Sequence, residues 1–321
     1  MTHEMPLAEG PATGRRPEGQ TDTAVYDLVI SITAWNVRGL LEQCLRSILR
    51  NPPKMNFRVV VLDDHSPDDT VEMVRREFPQ VDLIVSEENL GFIRANNLVL
   101  RRYEGRARYH LLLNADTVVQ PGALDELVRF ADEHPDTGIV GGKLVKPDGK
   151  LDWPCKRSFQ TPEVFFYRAL RLDKLFPHSR RYGKYHLTYL DENETHEVDA
   201  VCGALLLIRA ETLHQVGLMD EQLFMYSDDV DWCYRTKAAG WKVFYHPRAV
   251  VIHHKGASNK KRSYRMIYWW YRSTWMVYRK SLSSQYSGLT NALVYLGIHF
   301  MMLVSLFVNV LRPTKTLPSR R

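Results

Sequence analysis

Two short runs of acids and amides close two apolar runs in the first part of the chain. Asp63-Asp64 ends F-R-V-V-V-L, and Asn114-Ala115-Asp116 ends L-L-L. Carboxylates at the tips of buried strands suit two tasks. They accept hydrogen bonds from a base or ribose, or they hold a hard divalent cation against phosphate. Asp and Asn are also ordinary turn and cap residues, and position alone leaves both readings open. Asp68 and Asp69 fit the cap better, because Ser66-Pro67-Asp68-Asp69 reads as a helix start with Ser at the N-cap, Pro at the first position and acids in the first turn. A third acidic run, Asp228-Asp229-Val230-Asp231, opens a helical stretch, and His253-His254 follows an apolar run. The first apolar run leads into Thr33-Ala34-Trp35-Asn36 and not into a G-x-G-x-x-G turn, which excludes a dinucleotide-binding dehydrogenase.

The elements that must carry these residues follow from pattern. Leu28–Ile32, Phe57–Leu62, Leu83–Val85, Tyr109–Leu113 and Ile139–Val145 read as buried strands. Between them, Leu40, Leu41, Cys44, Leu45, Ile48 and Leu49 follow helical spacing, and a further helix is predicted from Gly122 to about His134. Strands alternating with helices imply a mostly parallel sheet covered on both faces, whose ligands gather at the carboxyl ends of the strands. Farther on, Val198–Ile208 reads as a long strand, Asp228–Ala239 as a helix stopped by Gly240, and Trp241–Tyr245 as a strand.

The whole chain has 321 residues, 45% of them hydrophobic and 25% charged, enough to bury a large core and too polar for a multi-span transporter. Its four cysteines (Cys44, Cys155, Cys202, Cys233) form no C-x-x-C pair, which argues against a disulfide framework or zinc knuckle and for a reducing compartment. The net charge of +6 is compatible with phosphate-rich ligands, nucleic acid or anionic lipid. Its placement is more telling. His254 to Lys280 holds eight Lys/Arg and no acid, interleaved with Tyr264, Tyr268, Trp269, Trp270, Tyr271, Trp275 and Tyr278, while Ser281 to Leu311 holds no charged residue at all. The apolar core of that second stretch, Ala292–Leu311, is long enough for a bilayer of about 30 Å as a helix. The pattern thus divides the chain into a tail (1–25) read as disordered, a catalytic unit (26–260), a basic aromatic interfacial helix (261–280), an apolar membrane segment (281–311) and a basic tail (312–321).

Taken together, the motifs resemble those of family 2 glycosyltransferases. V-V-V-L-D-D-H-S-P-D-D-T is similar to that family's V-D-x-x-S-x-D signature. Asn89-Leu90-Gly91-Phe92 with Asn96-Asn97 resembles its N-x-G segment, and Leu113-Asn114-Ala115-Asp116-Thr117 its variant D-x-D motif. Gly203-Ala204 with Arg209, Ser227-Asp228-Asp229-Val230-Asp231-Trp232, and His253-x-x-Gly256-x-Ser258 follow in the family's order. The nearest subgroup is rhamnosyltransferase-like, acting in bacterial O-antigen and related polysaccharide synthesis.

The resemblance implies an α/β GT-A fold, a mostly parallel central sheet with flanking helices, joined here to membrane-associated C-terminal helices. It also implies an inverting transfer of a sugar, rhamnose favoured, from a dTDP- or UDP-linked donor to a glycan or polyprenyl-diphosphate-linked acceptor. Trp35, Asn36, Asp63, Asp64, Gly91, Asn97, Asn114 and Ala115 would bind the nucleotide-sugar, Asp63 by accepting the pyrimidine N3–H. Asp116 and His253 would hold Mg2+ or Mn2+ on the diphosphate; Asn114 stands where the full D-x-D motif has an acid. Asp229 would be the general base, beside Asp228 where Glu is usual, and Gly203, Ala204 and Trp232 would meet the acceptor. Membrane lipid is an expected partner, nucleic acid is not, and the expected place is the cytoplasmic face of a bacterial inner membrane. Competing readings are a nucleotidyltransferase, which would carry a glycine-rich basic loop in place of T-A-W-N, and a non-enzymatic scaffold binding membrane or nucleic acid through 254–280. Within the apolar segment, a span, a re-entrant hairpin near Gly297 and a helix buried against the catalytic unit all remain open.

Overall fold

The computed structural model describes residues 26–254 and 264–311. The expected tails, and the Gly256 and Ser258 of the H-x-x-G-x-S motif, lie outside those residues. The amino-terminal part runs β1 (Tyr26–Ala34), α1 (Arg38–Arg50), β2 (Phe57–Asp63), α2 (Thr70–Glu77), β3 (Asp82–Val85), α3 (Gly91–Arg102) and β4 (Ala107–Leu113). Then follow β5 (Thr117–Val119), α4 (Ala123–Glu133), β6 (Thr137–Val145), α5 (Pro162–Ala169), α6 (Leu172–Leu175), β7 (His196–Glu197) and β8 (Leu205–Arg209). The chain closes with α7 (Ala210–Val216), α8 (Asp228–Ala238), β9 (Lys242–His253), α9 (Tyr264–Ser281) and α10 (Gly288–Leu311).

All strands join one sheet in the order β3-β2-β1-β4-β8-β6-β9-β5, with β7 beside β9. Strands β3, β2, β1 and β4 are mutually parallel, as are β6 and β9; β8, β5 and β7 pair antiparallel to their neighbours. The sheet is therefore mixed. The continuous apolar runs have their explanation here: Leu28, Val29, Ile30 and Ile32 of β1 are wholly buried, because helices cover both faces of the parallel part. In β6, Gly141 and Gly142 allow close stacking. A Cβ on Gly142 would stand 2.3 Å from the Ala249 carbonyl oxygen, and one on Gly141 2.7 Å from Val201 Cβ.

Two sequence expectations shift. Helix α2 begins at Thr70, not at Ser66. Ser66 instead donates its backbone N–H to Asp63 Oδ1 and accepts the Asn36 N–H, while Asp68 accepts from Thr70 N and Oγ1. Of the predicted long strand Val198–Ile208 only the end is strand, within β8, while 198–204 is irregular, so that Gly203 donates toward α8 and not along a ladder. The expected mostly parallel sheet is found, and it is mixed because β8 enters reversed between β4 and β6.

Candidate active site

The strand order turns around β1, with β2 and β3 on one side and β4 on the other. Such a switch point opens a crevice at the carboxyl ends, and the acids of the first motifs stand there. Asp63, the last residue of β2, is 1% exposed. Its Oδ1 accepts from Ser66 N at 3.0 Å, while its Oδ2 is buried and takes no hydrogen bond among the described residues. A buried acceptor without a donor is costly unless a ligand supplies one. Trp35 lies at the end of the adjacent β1 and is 51% exposed, so it is not a core residue. Asn36 beside it adopts a left-handed conformation (φ 53°).

Asp64, expected at the nucleotide, also shapes the loop that follows. Its Oδ1 accepts from Leu90 N (2.6 Å) and its Oδ2 from Gly91 N (2.9 Å), which fixes the entry to α3. Gly91 holds φ 77° there, a conformation that disfavours other residues. Burial raises the Asp64 carboxyl above its usual range, against the pull of those two amides. Asn97 is corrected. It is fully buried, donates to the Met219 carbonyl oxygen and Glu221 Oε1, and accepts from Met219 N. With those bonds made it clamps α3 to the loop before α8 and has no free face for a nucleotide.

The register between β5 and β9 pairs Thr117 with His253. That brings Asp116 Oδ1 to 3.4 Å from His253 Nε2, while His253 Nδ1 meets Asp152 Oδ2 at 3.0 Å. Burial disfavours the imidazolium, but the two carboxylates outweigh it and lift His253 to about 9. Asp152 was not foreseen from the sequence. It fixes the ring so that Nε2 faces Asp116, as the outer partners of metal-bound histidines commonly do. Among the described residues no cluster of three or more His, Cys, Asp or Glu is disposed around a common point. Two protein donors nonetheless fit a Mg2+ or Mn2+ ion that completes its shell with phosphate and water. Asn114 and Ala115 stand between this pair and β4, and the Asn114 N–H donates to the Ala204 carbonyl oxygen at 3.1 Å.

That bond carries the Gly203-Ala204 segment to the site, and with it α8. Two consecutive left-handed residues, Tyr226 (φ 68°) and Ser227 (φ 60°), turn the chain into this helix. Non-glycine residues hold such angles at some strain, and tolerated strain of this kind clusters at functional sites. Asp229 follows, and its Oδ2 meets Arg157 Nη2 at 2.5 Å and accepts from Gly203 N at 3.1 Å. Its Oδ1 accepts from Val230 N at 2.8 Å. Asp228 is buried beside it without a cation partner of its own among the described residues. Burial and then the Asp229 charge push its carboxyl up to about 7. Arg157 is a second residue the sequence did not single out, because its contact with Asp229 is made across the fold and not along any local spacing. Trp232 needs correction: its side chain is fully buried and its indole donates to the Gly217 carbonyl oxygen. It packs α8 onto the core and offers no surface to an acceptor. Asp231, also buried, pairs with Arg235 (2.8 Å) and with Lys280 of α9 (3.0 Å).

Comparison with known proteins shows the family and the fold. A family profile described as "Glycosyltransferase like family 2" matches residues 27–272. An N-acetylglucosaminyl-diphospho-decaprenol L-rhamnosyltransferase of Mycobacterium tuberculosis (strain CDC 1551 / Oshkosh) is 30% identical over 209 residues, which cover 62% of this chain and 67% of that protein. Among solved structures, GalNAc-T7 with UDP, GalNAc and Mn2+ aligns with a TM-score of 0.57 at 16% identity, over 79% of this chain and 48% of that one. The mannosyltransferase PcManGT from Pyrobaculum calidifontis, in complex with GDP-Man and Mn2+, aligns with a TM-score of 0.54 at 19% identity, over 87% of this chain and 68% of its own. The chain thus spans about half the length of the first of these structures. Both share its GT-A-like fold.

Proposed function

The chain belongs to glycosyltransferase family 2, and from that premise we propose that it transfers a sugar, rhamnose by preference, from a dTDP- or UDP-linked donor to a hydroxyl of a glycan or polyprenyl-diphosphate-linked acceptor. One observation carries the reading. A buried acceptor without a donor among the described residues (Asp63, ending β2), a carboxylate–imidazole pair (Asp116 between β4 and β5, His253 ending β9) and a carboxylate pair (Asp228, Asp229, opening α8) carry the chemistry. The preference for rhamnose rests on the mycobacterial relative, whose name states that sugar and a lipid-linked acceptor.

In this reading Asp63 Oδ2 accepts the pyrimidine N3–H, and Trp35 offers its exposed ring to the base. Asp116 and His253 hold the divalent ion, which when bound neutralises charge developing on the departing diphosphate. Asp152 keeps the His253 ring turned for that task. Inversion follows from a direct displacement in which one carboxylate takes the acceptor proton as its oxygen attacks the anomeric carbon. Asp229 occupies the base position of the motif, and Arg157 and the Gly203 amide hold its carboxylate in place. The same contacts favour a second reading. Asp229 is already engaged by Arg157 and the Gly203 amide, whereas Asp228 has no cation pair among the described residues and burial pushes it toward neutrality. On that reading Asp228 takes the proton and Asp229 positions it. Donor turnover over a panel of nucleotide-sugars with a lipid-linked acceptor tests the function as a whole; acceptor-dependent release of free nucleoside diphosphate is expected.

The catalytic unit is placed on the cytoplasmic face of the bacterial inner membrane, where such donors are found. Membrane association is supported by α10, whose residues Gly288–Val310 are uncharged and mostly exposed.

A further inference from the structure

Helix α10 does not stand clear of the catalytic unit. It returns antiparallel along α9: Tyr278 Oη meets Asn291 Oδ1 at 2.7 Å, the Trp275 and Tyr295 rings lie 5.0 Å apart, and Tyr271 Oη meets Ser305 Oγ at 2.6 Å. Helix α9 is in turn fastened to the core. Ser273 Oγ donates to the Met225 carbonyl oxygen, Trp269 packs on Phe224, and Lys280 pairs with both Asp220 and Asp231. If α10 crossed a bilayer, the α9 paired to it would be drawn to the same depth. Arg272 lies between the two contact points at Tyr271 and Trp275, and would then sit in hydrocarbon, where a cation is strongly disfavoured.

A second apolar surface adjoins α10. On α5, Phe165 lies so close to α10 that a Cβ on Gly297 would stand 3.3 Å from its ring. The next residue, Phe166, is exposed, as are Leu170, Leu175 and Phe176 around α6. Arg168, Arg171, Lys174, Arg180, Arg181 and Lys184 intersperse with them, against Glu163 and Asp173. Exposed apolar side chains among cations are the composition of an interfacial, in-plane membrane contact, and the outer face of α10 (Leu289, Leu293, Leu296, Phe300, Leu303, Phe307) continues it.

We propose that α10 lies in the plane of an anionic phospholipid surface, both its ends on the catalytic side, with the α5–α6 segment inserted beside it as a second contact. The inference rests on the membrane association proposed above and deepens it. It explains how a lipid-linked acceptor would reach the site: α8 carries Asp228 and Asp229 at its start and is tied to α9 one turn later through Asp231 and Lys280.

The test uses the full chain, tagged at both ends and expressed in cells from which sealed inverted inner-membrane vesicles are prepared. Protease added outside should remove both tags together. Removal of the N-terminal tag alone would mean that α10 spans, which overturns the in-plane arrangement and leaves membrane association standing. Recovery of the chain in the soluble fraction overturns both. For the α5–α6 contact, an environment-sensitive fluorophore is placed on single cysteines (Phe166→Cys, Leu175→Cys, Phe307→Cys, each in a Cys202→Ser background) and read on vesicles of phosphatidylcholine and phosphatidylglycerol. All three should shift to the blue and be quenched by lipid-borne nitroxides at shallow depth. A lipid signal at Phe307→Cys with water-like signals at Phe166→Cys and Leu175→Cys would overturn the second contact alone.

Discussion

Asp63→Asn replaces Oδ2, a buried carboxylate oxygen that takes no hydrogen bond among the described residues, by an amide nitrogen of nearly the same size. Oδ1 can keep its bond from Ser66 N, so the loop is preserved, and removal of a buried charge should leave the melting temperature unchanged or higher. What changes is the sign of the group facing the base. A hydrogen bond to a charged acceptor contributes about 1.5–3 kcal/mol, and at about 1.4 kcal/mol per decade its loss weakens UDP or dTDP binding roughly 10- to 150-fold. Cytosine presents a lone pair at N3 in place of N3–H. Wild-type protein should therefore disfavour CDP, and Asp63→Asn, which offers an N–H there, should bind it relatively better. Calorimetric titration of UDP, dTDP and CDP against both proteins, with Mn2+ present, measures all of these. Equal loss for UDP and CDP, or no loss for either in a folded variant, would refute the assignment of Asp63 to the base.

Other outcomes follow from the same geometry. Removal of a general base lowers turnover about 100-fold or more while leaving donor affinity nearly intact; steady-state kinetics of Asp229→Asn and Asp228→Asn show which acid takes the proton, and two near-normal variants would reject both. Because the native Asp228 carboxyl is raised, to about 7, while that of the unfolded chain ionises at about pH 4, stability is lost as pH rises between those values. Asp228→Asn should leave stability unchanged below about pH 4 and raise it increasingly through pH 7, by roughly 2–4 °C in melting temperature for each kcal/mol; a pH-independent gain would contradict the burial argument. EDTA should abolish turnover, and Asp116→Ala should weaken nucleotide affinity with Mn2+ present but not in EDTA. Equal affinities under both conditions would exclude Asp116 as a ligand.

Much of the site could be read from the chain because its members end strands, and strand ends are marked by abrupt changes from apolar to acidic residues. Asp63 and Asp116 stand out in this way, and the Asp228-Asp229 pair by opening a helical stretch. The errors have a common cause. Asn97 and Trp232 lie inside motifs, but a motif does not tell a ligand contact from the bond that shapes the motif's own loop, and both do the second. Arg157 and Asp152 went unseen for the complementary reason. Each reaches its partner through tertiary contact across the fold, to Asp229 and His253, with no local pattern to reveal it. The reversed entry of β8 was also hidden, since an all-apolar strand reads alike in either direction.

The most direct test of the central claim is an acceptor-dependence measurement on the full chain in membranes. Purified polyprenyl-diphosphate-linked acceptor is supplied with dTDP-rhamnose, with other dTDP- and UDP-sugars, and with Mn2+. The account predicts release of free nucleoside diphosphate only when acceptor is present, matched one for one by lipid-linked product carrying an added sugar of inverted anomeric configuration. Release of pyrophosphate or sugar-1-phosphate instead, or turnover of no nucleotide-sugar by protein that still binds nucleotide, would contradict it.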